Sequence, residues 1–133
     1  MNELVIRKEF HKKILAHKYF EPNSLIVDEL GIIHGKCIAD IAVINNDFYG
    51  FEIKSEKDSL RRLEQQAYHY NKVFDFASII LSECHLDEAA IILPNWWGII
   101  VASYKSEADI NFLVEREAKQ NPGLDGFAIA QLL

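Results

Sequence analysis

Ile38-Ala39-Asp40-Ile41-Ala42-Val43-Ile44-Asn45-Asn46-Asp47-Phe48-Tyr49-Gly50-Phe51-Glu52-Ile53-Lys54 places one acid inside an apolar run. Twelve residues on, it places an acid and a lysine, two apart, inside a second run. Both runs read as strands, roughly 37–44 and 48–54, and the polar cluster at 45–47 reads as a hairpin turn. Side chains alternate along a strand, so Glu52 and Lys54 share one face while Phe51 and Ile53 share the other. A hairpin can bring Asp40 beside that pair. Two carboxylates and an ammonium at one partly buried spot are costly unless the acids are neutralised, and a hard divalent cation with oxygen ligands would do that. The plain alternative is a cross-strand ion pair of Asp40 with Lys54.

Asp40, the Glu52-X-Lys54 triplet, and Gln66 four residues before Tyr70 resemble the pattern of the PD-(D/E)XK phosphodiesterase superfamily, the restriction-endonuclease-like fold. The likeness runs from about residue 24 to 104, includes Pro94-Asn-Trp-Trp-Gly98, and looks most like a small bacterial and phage branch. The resemblance implies an α/β fold, with a mixed sheet flanked by helices around an αβββαβ core. It implies a magnesium-dependent nuclease, manganese substituting, that hydrolyses phosphodiester bonds with DNA ahead of RNA. Asp40 and Glu52 become metal ligands together with the Ile53 carbonyl, and Glu29, placed in a helix, becomes the outer metal candidate, ligating a second ion or acting through water. Lys54 would orient or deprotonate the attacking water and stabilise developing charge. Gln66 and Tyr70, neighbours on one helix face, would position Lys54, the water or a phosphate. Lys57, Arg61 and Arg62 are the nucleic-acid-binding candidates. Ala39 stands where the superfamily has its namesake proline, and no basic residue directly precedes Asp40, where an arginine would fit the pattern. Neither departure removes a metal ligand.

The chain has 133 residues, half of them hydrophobic and 26% charged, which fits one domain spanning 1–133 with its own core. No apolar run reaches the roughly 18–20 residues that cross a bilayer; Pro94, Asn95 and Gly98 interrupt the strongest, and the charged N-terminus lacks the apolar centre of a signal peptide. Cys37 and Cys84 read as small buried hydrophobes in a reducing, cytoplasmic setting. The net charge of −6 falls wholly after Lys72, where 3 basic residues face 9 acidic ones; through Lys72 the counts are 11 and 11. Nucleic acid is therefore compatible, with weak, strongly salt-dependent binding.

Ile6, Phe10 and Ile14 recur at helical spacing and predict a helix over 3–17. Ser24 reads as the cap of a short helix that Gly31 stops, with a short strand at 32–34. Ser55-X-X-Asp58 has capping-box spacing, predicting a helix directly after Lys54 whose N-terminal amides favour a phosphate. A strand at 77–81, a helical turn or two at 86–92, a strand at 97–103 and a helix at 107–119 follow. The tail beyond 121 fits either a helix or a strand.

Other features read more blandly. Trp96-Trp97 fits one ring in the core and the other closing the strand entrance better than a base-stacking platform. Cys84-His85, Cys37 and His34 lack zinc spacing. The basic face of the first helix fits solvent as well as a DNA backbone. Two readings compete with the nuclease: a catalytically silent nucleic-acid- or protein-binding module that kept the fold, and a toxin or defence component needing a protein partner. A homodimer is a reasonable expectation for an enzyme of this fold.

Overall fold

The computed structural model describes residues 1–19, 21–106 and 109–124. Its centre is one six-stranded sheet in chain order β1 to β6: β1 (Leu25–Ile32), β2 (Cys37–Ile44), β3 (Phe48–Lys54), β4 (Phe76–Ser82), β5 (Gly98–Ser106) and β6 (Asp109–Arg116). β1, β2 and β3 are antiparallel, β3, β4 and β5 are parallel, and β6 returns antiparallel to β5. The two parallel steps need crossovers, and helices α3 (Leu63–Tyr70) and α4 (Leu86–Ile92) lie in them. The result is a mixed α/β fold. Among the described residues no helix is long and apolar enough to cross a membrane.

The N-terminal helix covers one face. Asn2 caps α1 (Glu3–Phe10) by accepting from the Val5 N–H at 3.0 Å. A π-helical turn, His11–Leu15, then leads into α2 (Ala16–Lys18). The extra residue of that turn matters for packing. It carries Leu15, five positions after Phe10, into the core with Ile6, where they meet Ile41, Val43, Phe51, Ile53 and Ile80. The opposite face packs α3 and α4 against Ala39, Ala77, Ile79, Leu81 and Ile99. Gly50 is required there, because a Cβ would sit 2.6 Å from the Phe74 ring. Trp96 and Trp97 are both buried in this second core, and the Trp97 indole N–H donates to Asn71 Oδ1 at 2.8 Å. Neither ring is a surface platform.

Several sequence expectations need correction. Residues 24–31 form no helix: Leu25 to Ile32 pairs with β2 from Leu25↔Ile44 to Ile32↔Cys37, and strand pairing overrides the local cap-like pattern. Ile33 and His34 are not a strand but a left-handed turn, with φ of 52° and 56°. Ser55 and Asp58 do make the hydrogen bonds of their motif, Ser55 N–H and Oγ–H donating to Asp58 Oδ2 at 2.8 and 2.9 Å. They close only a turn, and the helix begins at Leu63. The chain therefore does not pass from Lys54 into helix amides. Residues 109–116 are strand β6, with Ile110 buried in the first core and Phe112 packed against it, as alternation requires. Cys84 lies exposed in the turn after β4, whereas Cys37 is buried. Most of the C-terminal tail lies outside the described residues.

Candidate active site

The sheet is irregular at Asp40. Along β2, Cys37 and Ala39 pack on the α3/α4 face, while Ile41 and Val43 pack on the α1 face. Strict alternation would put all four on one side, so the strand shifts phase at Asp40. The ladders record the same break. β1–β2 pairing passes from Asp28↔Ile41 to Leu30↔Ala39 without pairing Glu29 to Asp40, and β2–β3 pairing ends at Ile41↔Phe51. Glu29 adopts φ 55° at this point.

Side chains fill the gap that the backbone leaves. Asp40 Oδ2 accepts from the Ile53 N–H at 2.8 Å. The Tyr70 hydroxyl, reaching across from α3, donates to Glu52 Oε1 at 2.6 Å and accepts from the Asp40 N–H at 3.3 Å. It also lies 3.3 Å from the Phe51 carbonyl. Tyr70 is thus a fully buried bridge between the parted strands, and it fixes the Glu52 carboxyl. Lys54, on the same face of β3 as Glu52, sets Nζ 3.5 Å from Glu52 Oε2. Glu52 is 3% exposed and Lys54 8%.

Burial dominates the electrostatics. Desolvation, then the charge of Asp40, pushes Glu52 from its ordinary 4.5 to about 8; desolvation likewise raises Asp40, against the pull of the Ile53 N–H. Desolvation and the neighbouring Glu52 raise the Tyr70 phenol well above its ordinary range. The charge of Asp40 disfavours ionisation of Glu52, whose carboxyl in turn hydrogen-bonds Asp40, and two acids placed so close make a receptor for positive charge.

Arg7 was not visible from sequence as part of this site. It comes from α1 and donates from Nη1 to the Asp40 carbonyl at 2.8 Å. Its other contacts are acidic: an ion pair with Glu3, then Asp28 and Asp40 carboxylates at 3.7 Å and Glu29 at 3.9 Å. Glu3 is close enough for its charge to raise Asp40. One arginine among the basic residues of an amphipathic helix carries no signal of a partner 33 residues away; the absence of a basic residue before Asp40 is the one available hint.

Asp40 and Glu52 lie in a cleft of about 580 Å³ between the β1–β2 turn and α3. Gln66 lines it too, its Oε1 buried without a hydrogen-bond partner among the described residues. Glu29 stands at the rim on strand β1, not on a helix, with 72% of its side chain exposed. Arg62 lines the cleft, but Arg61 faces a separate shallow depression beside Glu64 and Tyr68, and Lys57 projects from an exposed turn. Among the described residues no three His, Cys, Asp or Glu side chains converge as a ready metal centre. What the fold assembles is two carboxyls, one lysine, one tyrosine and one amide.

The fold is similar to that of a protein of unknown function from Silicibacter pomeroyi, 16% identical, with a TM-score of 0.60 over 95% of this chain and 77% of that one. The likeness shows the fold. Protein cII of Enterobacteria phage P4 is 27% identical over 78 residues, 59% of this chain and 30% of that protein, so the chain matches less than a third of that relative's length. The model of the family described as Bacteriophage P4 protein cII matches residues 3–133. The chain belongs to the Bacteriophage P4 protein cII family.

Proposed function

We propose that this chain is a divalent-metal-dependent phosphodiesterase of the PD-(D/E)XK type that hydrolyses nucleic acid, DNA in the first instance. One observation carries the reading: Asp40, Glu52 and Lys54, distant or alternating in sequence, meet at the place where β2 and β3 part. The order of the first elements, a helix, three strands, a helix and a strand, supports it as the αβββαβ core that the resemblance implies.

The donor set fits magnesium. That ion binds through one or two carboxylates and keeps several waters, and here a buried carboxyl and a partly buried one sit together, the charge of Asp40 raising Glu52, beside an amide oxygen without a partner among the described residues. Asp40 and Glu52 would hold it, the Ile53 carbonyl joining them. When bound it supplies charge relief at the phosphate and a more acidic water. Asp40 keeps its second oxygen on the Ile53 N–H, which fixes the carboxylate plane. Tyr70 holds Glu52 through Oε1 and leaves Oε2 facing Lys54. Lys54 stabilises negative charge that develops on the reacting phosphate, and Gln66 Oε1 accepts a hydrogen bond from the attacking water. Arg7 positions Asp40 through its carbonyl.

The competing reading is a silent binding module, and Arg7 is the observation that favours it, since one guanidinium already partners four acids. Cleavage decides between them. Supercoiled and single-stranded DNA are incubated with magnesium or manganese and the native, Lys54→Ala or Asp40→Ala chain. The nuclease reading expects metal-dependent cutting by the native chain alone. A folded native chain that cuts nothing leaves the silent module.

A further inference from the structure

Above the acidic floor of Asp40 and Glu52, each wall of the cleft carries a cation, with Glu29 also at the rim. One wall is the β1–β2 turn, in which Ile33, His34 and Gly35 are successively left-handed at φ 52°, 56° and 78°. Left-handed φ is costly for a β-branched residue, and such backbone persists where the surroundings fix it. Here N–H groups of Gly35 and Lys36 donate to Ile32 and Ile33 carbonyls at 3.1 Å, and the turn presents Lys36 to the cleft. The other wall is α3 with the residue before it, which supplies Arg62, Gln65 and His69. Burial, then the charges of Lys72 and Lys36, lowers the His69 imidazole, so Lys36 and His69 feel each other across the gap. His69 Nδ1 is buried without a hydrogen-bond partner, and no ion pair engages Lys36 or Arg62 among the described residues.

The floor is deep. Glu52 on the floor is almost wholly shielded from solvent, whereas Lys36 and Arg62 are exposed at the rim. A phosphate that reaches the carboxyls must descend below the level of the cations. One flexible strand can lower a phosphate that far and still offer its neighbours to both rims. A base-paired duplex keeps its backbone at the surface of a stiff rod, and a cleft of about 580 Å³ has the size of a small-molecule pocket.

We propose that the cleft takes one unpaired nucleic-acid strand, its central phosphate lowered toward Asp40 and Glu52, its flanking phosphates held by Lys36 on one wall and Arg62 on the other. Gln65 and His69 then face the bases or sugars. This specification rests on the phosphodiesterase reading for the descent of the central phosphate to the acids, whereas the contacts of Lys36 and Arg62 with flanking phosphates stand on the cleft's own charges.

The test is fluorescence anisotropy of a fluorescein-labelled oligodeoxynucleotide, single-stranded or annealed to its complement, titrated with the full chain in calcium over a range of salt. Binding to the single strand is expected to be about tenfold tighter or more. Lys36→Ala and Arg62→Ala are each expected to flatten the slope of log affinity against log salt by about 0.7, the signature of one lost single-strand phosphate contact. Lys18→Ala, beside Asn45 at the far end of the sheet, leaves the slope as it was. Loss of a fold would change affinity without that selective change in slope, and circular dichroism of each variant separates the two. Equal or tighter duplex binding, unchanged slopes in both rim variants, or no binding overturns the proposal. Cleavage run in parallel keeps the two readings apart. Single-strand binding with the expected slopes but no cutting removes the nuclease and leaves the cleft; cutting with unchanged slopes does the reverse.

Discussion

Replacing Glu52 by glutamine is expected to remove most of the pH dependence of stability. Glu52 is held at about 8, against an ordinary 4.5. Between those values the folded chain keeps a proton that the unfolded chain releases, so stability is greatest below about 4.5 and falls as pH rises toward about 8. The whole difference is on the order of 4 to 5 kcal/mol, of which roughly half falls above pH 6. The raised Asp40 adds to it with the same sign. Glutamine has nearly the same shape, keeps an oxygen for the Tyr70 hydroxyl and never ionises. Urea denaturation of both chains in chelator, from about pH 5 to about pH 8, should show the native midpoint falling while the variant stays nearly level. Excess magnesium should flatten the native curve, because a bound cation replaces the proton. If native and variant lose stability in parallel, Glu52 is not the buried titrating group and the electrostatic account of the site fails.

Tyr70→Phe keeps the ring packed against Phe74 and Trp97 but removes the bridge to Glu52 and Asp40; a loss of about 1–3 kcal/mol is expected in the same denaturation assay. Gly50→Ala, with its Cβ driven onto Phe74, should cost about 1–3 kcal/mol; a neutral result would mean that the Phe74 ring moves aside freely. Thiol titration with an aromatic disulfide should find Cys84 reactive in the folded chain. Cys37, buried and raised to about 11, should react only on unfolding; two rapid thiols would contradict its placement.

What the sequence made legible, and what it hid, follows from the range of the interactions. The hairpin, the Glu52/Lys54 face and the helix bearing Gln66 and Tyr70 depend on alternation, turn chemistry and four-residue spacing, all local. Leu25-Ile-Val-Asp-Glu-Leu-Gly was misread as a helix because Ser24 and Gly31 mimic helix ends, while the pairing with β2 that makes it a strand is not local. Asp109–Arg116 was misread because its apolar residues suit either period until β5 is placed beside it. The phase shift at Asp40 is written nowhere in the local pattern, yet it is what turns the carboxylate toward Ile53. Arg7, Glu3 and Lys36 join the site only through tertiary packing, and no spacing rule connects them to Asp40.

The most direct measurement is manganese-supported cleavage of single-stranded DNA by native and Lys54→Met chains, with manganese binding measured on the same samples. The account predicts that both chains bind the ion through Asp40 and Glu52 and that only the native chain cuts. Cutting by the lysine variant at the native rate, or a native chain that binds the ion and leaves the strand intact, would contradict it.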